Sequence, residues 1–123
     1  MPMSTKVIEI DSSKTGGMQG GSRKVLPLKN AITHQNCAEL EADLQECIDN
    51  NKTEIILDCR ALTFLDSEAL ELLVRMHEDA NSRGSELKLI SLDKVCSDIL
   101  IATRLMNILN VYKDIHGAIK KWL

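Results

Sequence analysis

Three consecutive aliphatic residues, Ile55-Ile56-Leu57, sit inside the segment Thr53–Cys59 (TEIILDC) and constrain the fold more than any other stretch. A strand with one wet face alternates apolar and polar side chains; an unbroken apolar run needs cover on both faces. Such a strand belongs inside a sheet, usually among parallel neighbours, and parallel neighbours require crossover helices. Helical periodicity flanks it on both sides. Upstream, Leu40, Leu44, Cys47 and Ile48 keep i, i+4, i+7, i+8 spacing behind Asn36 as an N-cap, with Glu39, Glu41, Asp43 and Glu46 turned to water. That helix ends near Asp49-Asn50-Asn51. Downstream, after a link Arg60–Thr63 and Phe64-Leu65, residues Leu70, Leu73, Val74 and His77 mark a second apolar face, with Glu71, Arg75, Glu78 and Asp79 outside. Gly84 is placed to end that helix in a left-handed turn.

The remaining segments extend the alternation. Thr5–Asp11 (TKVIEID) alternates like an edge or half-buried strand, and Arg23–Leu28 (RKVLPL) is a second strand. Its Pro27 lacks a backbone donor and suits an edge or an interrupted ladder. Between them, SSKTGGMQGGS at about 12–22 reads as a flexible Gly/Ser-rich loop. It lacks the Gly-Lys-Ser/Thr ending of a phosphate-binding loop, and no apolar helix follows it. Glu86–Ser91 alternates as a strand; Asp93 precedes a helix with Val95, Ile99 and Ala102 on one face, running to about Arg104. Ile108–Tyr112 is a short last strand or extended connection, and Asp114 opens a final helix carrying Ile115, Ala118, Ile119 and Trp122. The order β-β-α-β-α-β-α-β-α predicts an α/β fold with a mixed, mainly parallel sheet of about five strands and about four helices. At 123 residues the chain is expected to form one domain, residues 1–123.

Composition excludes several functions. Phe64, Tyr112 and Trp122 are the only aromatic residues, so the core is aliphatic and stacking platforms for single-stranded nucleic acid are missing. The net charge is −3 with no Lys/Arg block, which argues against nucleic-acid partners. No apolar run approaches a spanning length, and Met1–Ser12 lacks a signal-peptide core, so a cytoplasmic protein without membrane insertion is expected. The four cysteines, Cys37, Cys47, Cys59 and Cys96, form no CxxC pair and no metal-type spacing; Cys47 and Cys59 read as buried thiols. Met76 and Met106 fit core or rim packing. No cofactor is implied. The histidines, His34, His77 and His116, belong to no motif; His77 reads as a hydrogen-bonded core or rim residue and His116 as exposed. Ser67 lacks the Gly-x-Ser-x-Gly setting of a hydrolase, so an enzyme is not expected.

Chemistry concentrates at Phe64–Leu70 (FLDSEAL), where a buried strand meets a helix start. A cap role alone would account for Asp66 or Ser67. A phosphate on Ser67 would lie at the positive end of the helix dipole, near unpaired backbone amides. It would add roughly 1.5–2 negative charges between Asp66 and Glu68, enough to repel a docked partner without any change of fold.

LDCRALTFLDSEALELL resembles the signature of STAS-domain anti-sigma factor antagonists, a buried strand followed by Phe-hydrophobic-Asp-Ser-Ser-Gly-Leu. Ser67 falls on the serine that is phosphorylated in that family, Asp66 on the aspartate and Leu70 on the leucine. RGSELKLISLDKVCSDILIATRLMNILNVY resembles the family's second half, and VLPLKNAIT its early strand, so the likeness runs from about Arg23 onward. Glu68 and Ala69 replace the family's second serine and glycine, Asn30 its early glycine, and Thr33 its early aspartate. The resemblance implies a bacterial partner-switching cycle in which the chain is ligand and substrate. Its partner would be an anti-sigma factor that is also a serine kinase of the histidine-kinase-like ATPase class. Phosphorylation of Ser67 would end the complex, and a serine phosphatase would restore it. Asn30, Thr33, Asp66, Ser67 and Glu68 are the expected docking residues. The alternative is an unphosphorylated STAS scaffold or accessory subunit of a transporter or signalling complex. Pairing of the chain with itself stays open.

Overall fold

A computed structural model describes residues 8–10, 22–49 and 53–119. Strand β1 (Ile8–Ile10) is followed by β2 (Ser22–Ile32), helix α1 (Cys37–Asp49), β3 (Thr53–Leu65) and α2 (Ser67–Ser82). Then come β4 (Glu86–Ile90), α3 (Lys94–Ala102), a 3-10 turn (Leu105–Asn107), β5 (Asn110–Tyr112) and α4 (Ile115–Ile119). The five strands lie in the order β1-β2-β3-β4-β5; β1 is antiparallel to β2, and β2 to β5 are mutually parallel. The loop expected at about 12–22 and Trp122 lie outside the described residues, except Ser22, which begins β2.

The run at Ile55–Leu57 has the position its composition demands. Ile55, Ile56 and Leu57 are fully buried in β3, with β2 on one side and β4 on the other. On one face Ile55, Leu57, Leu26, Leu87 and Leu89 pack with Leu40 and Leu44 of α1, Leu73 and Met76 of α2, and Leu100 of α3. On the other face a smaller cluster, Val25, Ile56 and Ile90, is covered by Ala118 of α4. That second face also buries charge. Glu54 accepts hydrogen bonds from Arg23 Nε and Lys88 Nζ, and Lys88 Nζ donates to Ala118 O at 2.7 Å.

Four expectations are corrected. Arg60–Thr63 is not a link: β3 continues to Leu65, paired with Lys29–Ile32 of β2. The register shifts between Pro27 and Lys29, and again between Asn30 and Ala31, break the alternation that would have marked a strand. Asn36 precedes α1, yet its side chain turns backwards. Its Oδ1 accepts the Thr33 N–H (2.8 Å) and its Nδ2 donates to Ala31 O (3.0 Å), closing the loop before the helix. In α3 the buried face is Cys96 and Leu100, whereas Val95 (52% exposed) and Ala102 face outward. Cysteine acts here as a small hydrophobe and sets the seam. The helix also stops at Ala102.

Gly84 ends α2 as expected. Its φ is 77°, and Ser85 N–H returns to Ala80 O at 2.8 Å. Pro27 occupies an interrupted ladder, since the described part of β1 pairs only with Arg23–Val25.

Candidate functional site

The extension of β2 and β3 beyond Asp58 carries two loops to one end of the sheet, and Asp66 joins them. Its backbone N–H donates to Ile32 O at 3.2 Å, so the end of β3 is pinned to the end of β2. Extended backbone at Asp66 (φ −88°, ψ −179°) makes it the N-cap of α2, and its Oδ1 accepts the Ala69 N–H at 2.9 Å. The other oxygen, Oδ2, accepts the His34 N–H at 2.8 Å and lies 3.3 Å from His34 Nδ1. The Ala69 N–H, together with the His34 N–H and ring, holds the Asp66 carboxyl below its ordinary range.

Ser67 is the first residue of α2 and is exposed, as is Glu68. The first i→i−4 bond of this helix is donated by Leu70 to Asp66 O. Asp66 already occupies the third amide, so the N–H groups of Ser67 and Glu68 lie outside the helical ladder. They and the helix dipole provide a favourable setting for an anion on the Ser67 hydroxyl.

The residues expected to dock a partner fall into two groups, Asn30 and Thr33 at the end of β2 and Asp66, Ser67 and Glu68 at the start of α2. Asn30 is exposed and left-handed (φ 60°), a conformation that asparagine tolerates and most residues avoid. Thr33 is half-buried; its Oγ1 accepts the Gln35 N–H at 3.2 Å and its carbonyl accepts the Cys37 N–H at 2.8 Å, starting α1. Thr33 therefore adjoins the Asp66-Ser67-Glu68 corner through His34. The Cys37 thiol opens α1 beside the same corner, and its ionisation is suppressed by partial burial and by the charges of Glu68 and Asp66.

Two features escaped the sequence reading. His34 was one of three unconnected histidines, and only the fold brings it to Asp66, 32 positions away. Ser67 also opens onto a groove of about 560 Å³ floored by Leu70, Val74 and Leu105, with Glu71 and Glu78 along it. Leu70 and Val74 lie on a recognised apolar face, but Leu105 comes from the 3-10 turn, which carries no periodic signal. Elsewhere, His77 is buried on the core side of α2 with Nε2 3.3 Å from Asn81 Nδ2, and His116 is exposed. Among the described residues no cluster of His, Cys, Asp and Glu has the makings of a metal site, and no helix is long and apolar enough to cross a membrane.

The family model of the STAS domain matches residues 10–118. Among solved structures, an anti-sigma factor antagonist from Mycobacterium paratuberculosis is 16% identical, with 97% of this chain and 92% of that chain covered and a TM-score of 0.79. The Bacillus cell fate determinant SpoIIAA in its phosphorylated form is 14% identical over 96% of this chain and 98% of that one, with a TM-score of 0.63. A sulfate transporter family protein from Wolinella succinogenes is 17% identical, covering 81% and 84% of the two chains with a TM-score of 0.65. These likenesses are of fold. With the family model spanning nearly the whole described chain, the conclusion is direct: the chain belongs to the STAS domain family.

Proposed function

We propose that the chain is a phosphorylation-regulated anti-sigma factor antagonist of the cytoplasm, binding an anti-sigma factor that doubles as a serine kinase of the histidine-kinase-like ATPase class. The observation that carries this reading is the exposed Ser67 at the start of α2, directly after a capping aspartate. Membership of the STAS family and the fold shared with anti-sigma factor antagonists support it.

In the unmodified state the surface formed by Asn30, Thr33, Asp66, Ser67 and Glu68 docks the partner. Transfer of the γ-phosphoryl group of ATP to Ser67 Oγ, with loss of the hydroxyl proton and release of ADP, places about −1.5 to −2 charge between two carboxylates. The α2 N-terminus tolerates that charge within the protein, because amides and dipole face it. A partner surface evolved against the neutral hydroxyl meets like-charge repulsion and a desolvation cost instead. A serine phosphatase resets the surface. The chain supplies an acceptor and a docking face, and the kinase and phosphatase supply the chemistry.

The test is to recover tagged chain from its own cells and measure intact mass. A gain of about 80 Da, one phosphoryl group, is expected on the native chain and absent from Ser67→Ala. A gain that survives in Ser67→Ala rules the site out. A second reading, a scaffold or transporter-accessory role without phosphorylation, is favoured by Glu68 beside the acceptor and by the fold shared with the sulfate transporter family protein. It predicts no mass gain under any growth condition and co-purification with a membrane transporter.

A further inference from the structure

His34 stands on the loop between β2 and α1 with its side chain 63% exposed, its Nδ1 3.3 Å from Asp66 Oδ2. Neither the cap nor the loop junction requires this ring, since Asp66 is already held by the Ala69 N–H and the His34 backbone N–H. The ring instead places a titratable group against the carboxylate that immediately precedes Ser67. The other titratable groups at this corner are Asp66 and Glu68 from the β3–α2 junction and the Cys37 thiol at the start of α1. That thiol stays protonated and neutral. Among the described side chains bonded to Asp66, the imidazole is the one able to gain positive charge near neutral pH.

We infer that His34 is a charge-compensating and positioning residue of the switch: a negative group on Ser67 is partly offset by a fraction of a proton taken up on the His34 ring. This rests on the reading of Ser67 as acceptor and extends it to how the surface is regulated. Where the ring takes a proton from solvent it becomes an imidazolium, whose Nδ1–H donates to Asp66 Oδ2 in a charge-assisted bond. The β2–α1 loop, with Thr33, is thereby clamped to the N-terminus of α2 when the surface is most acidic. Modification of Ser67 becomes linked to pH, with part of its added charge cancelled on the acid side and the full charge displayed on the alkaline side.

The expected size follows from Coulomb's law. A group on Ser67 is one residue from Asp66, so it lies on the order of 8 Å from the ring. At that distance, through solvent and at low salt, a phosphate raises the titration midpoint of His34 by roughly half a pH unit, and a single added carboxylate by about half as much.

The test follows the ring protons of His34, His77 and His116 by NMR between about pH 5 and pH 8.5 in the native chain, in Ser67→Asp, and in chain synthesised with phosphoserine at position 67. No kinase is involved, so the outcome is readable even if Ser67 proves never to be modified in cells. Because the second phosphate proton itself titrates near pH 6, Ser67→Asp, ionised throughout, is the cleaner arm. The inference expects an upward movement at His34 in both modified chains, about twice as large with phosphoserine, shrinking as salt is added, with His77 and His116 moving far less. It is overturned if His34 moves no further than His116, or if its movement is unchanged in 1 M salt.

Discussion

Replacing Glu54 by Gln tests the least expected part of the core. Arg23 is 1% exposed, and Glu54 and Lys88 are 0% exposed. Both Glu54 oxygens are used, one by Arg23 Nε and one by Lys88 Nζ, and the ammonium also lies 5.6 Å from the centroid of the Tyr112 ring. Glutamine preserves the volume but removes the negative charge that Arg23 and Lys88 share. Breaking a buried ion pair from one side costs about 3–5 kcal/mol. Against a typical total of about 5–15 kcal/mol, that is a large share of the stability. For 123 residues the unfolding entropy near the midpoint is on the order of 260 cal/mol/K, so Tm should fall by roughly 12–19 °C. Urea unfolding followed by far-UV circular dichroism reads the loss directly, with an unchanged m-value expected. A Glu54→Gln loss below about 1 kcal/mol would refute the picture of a dry, interdependent cluster.

Four further outcomes follow from named groups. Asp66→Ala removes the cap of α2 and the tie to His34, so amide exchange at Ala69 and His34 should accelerate several-fold while the β3 amides stay protected; unchanged exchange at Ala69 would contradict the capping geometry. In the native chain the Asp66 carboxyl sits below its ordinary range, so the cap's contribution is complete above the unfolded value of about 3.9 and is lost only as pH falls through the lower folded value. Exchange at Ala69, corrected for its intrinsic pH dependence, should therefore not rise between pH 7 and about pH 5 and should rise only in stronger acid. Thiol labelling at pH 8 should modify the half-buried Cys37 first; Cys59, strongly raised by burial, and Cys96, pushed up to about 11 by burial and Asp93, should react only on unfolding. At Asn30, where φ is 60°, Asn30→Gly should be nearly neutral and Asn30→Ala should cost about 1 kcal/mol; equal stabilities would deny the left-handed backbone at this strand irregularity.

The parts legible in the sequence were those written in short-range patterns. The unbroken run at Ile55–Leu57 placed β3 inside a parallel sheet, and the Leu70–His77 spacing placed α2 after it. Asp66 was readable as a cap because aspartate before an acidic first turn is a local signal. What failed depended on partners distant in sequence. The extension of β3 through Arg60–Leu65 exists because β2 runs beside it with two register shifts, and no alternation survives them. The Arg23-Glu54-Lys88 cluster looks like ordinary strand polarity until three strands are set side by side. His34 gains meaning only from an aspartate 32 residues later. In α3 the error was in weighting. Val95 and Ile99 looked more apolar than Cys96, but the cysteine faces the core and its Sγ reaches Leu62 O at 3.7 Å.

The proposed switch requires that a doubly negative group on Ser67 be acceptable to this protein and intolerable to what docks on it. Its most direct measurement is the affinity of the partner captured by the native chain, compared between native protein and protein carrying phosphoserine at position 67. Losing two or three well-placed contacts and adding repulsion should weaken binding at least about 100-fold, mainly through faster dissociation, with the fold unchanged by circular dichroism. Equal affinity for the two forms would contradict the account.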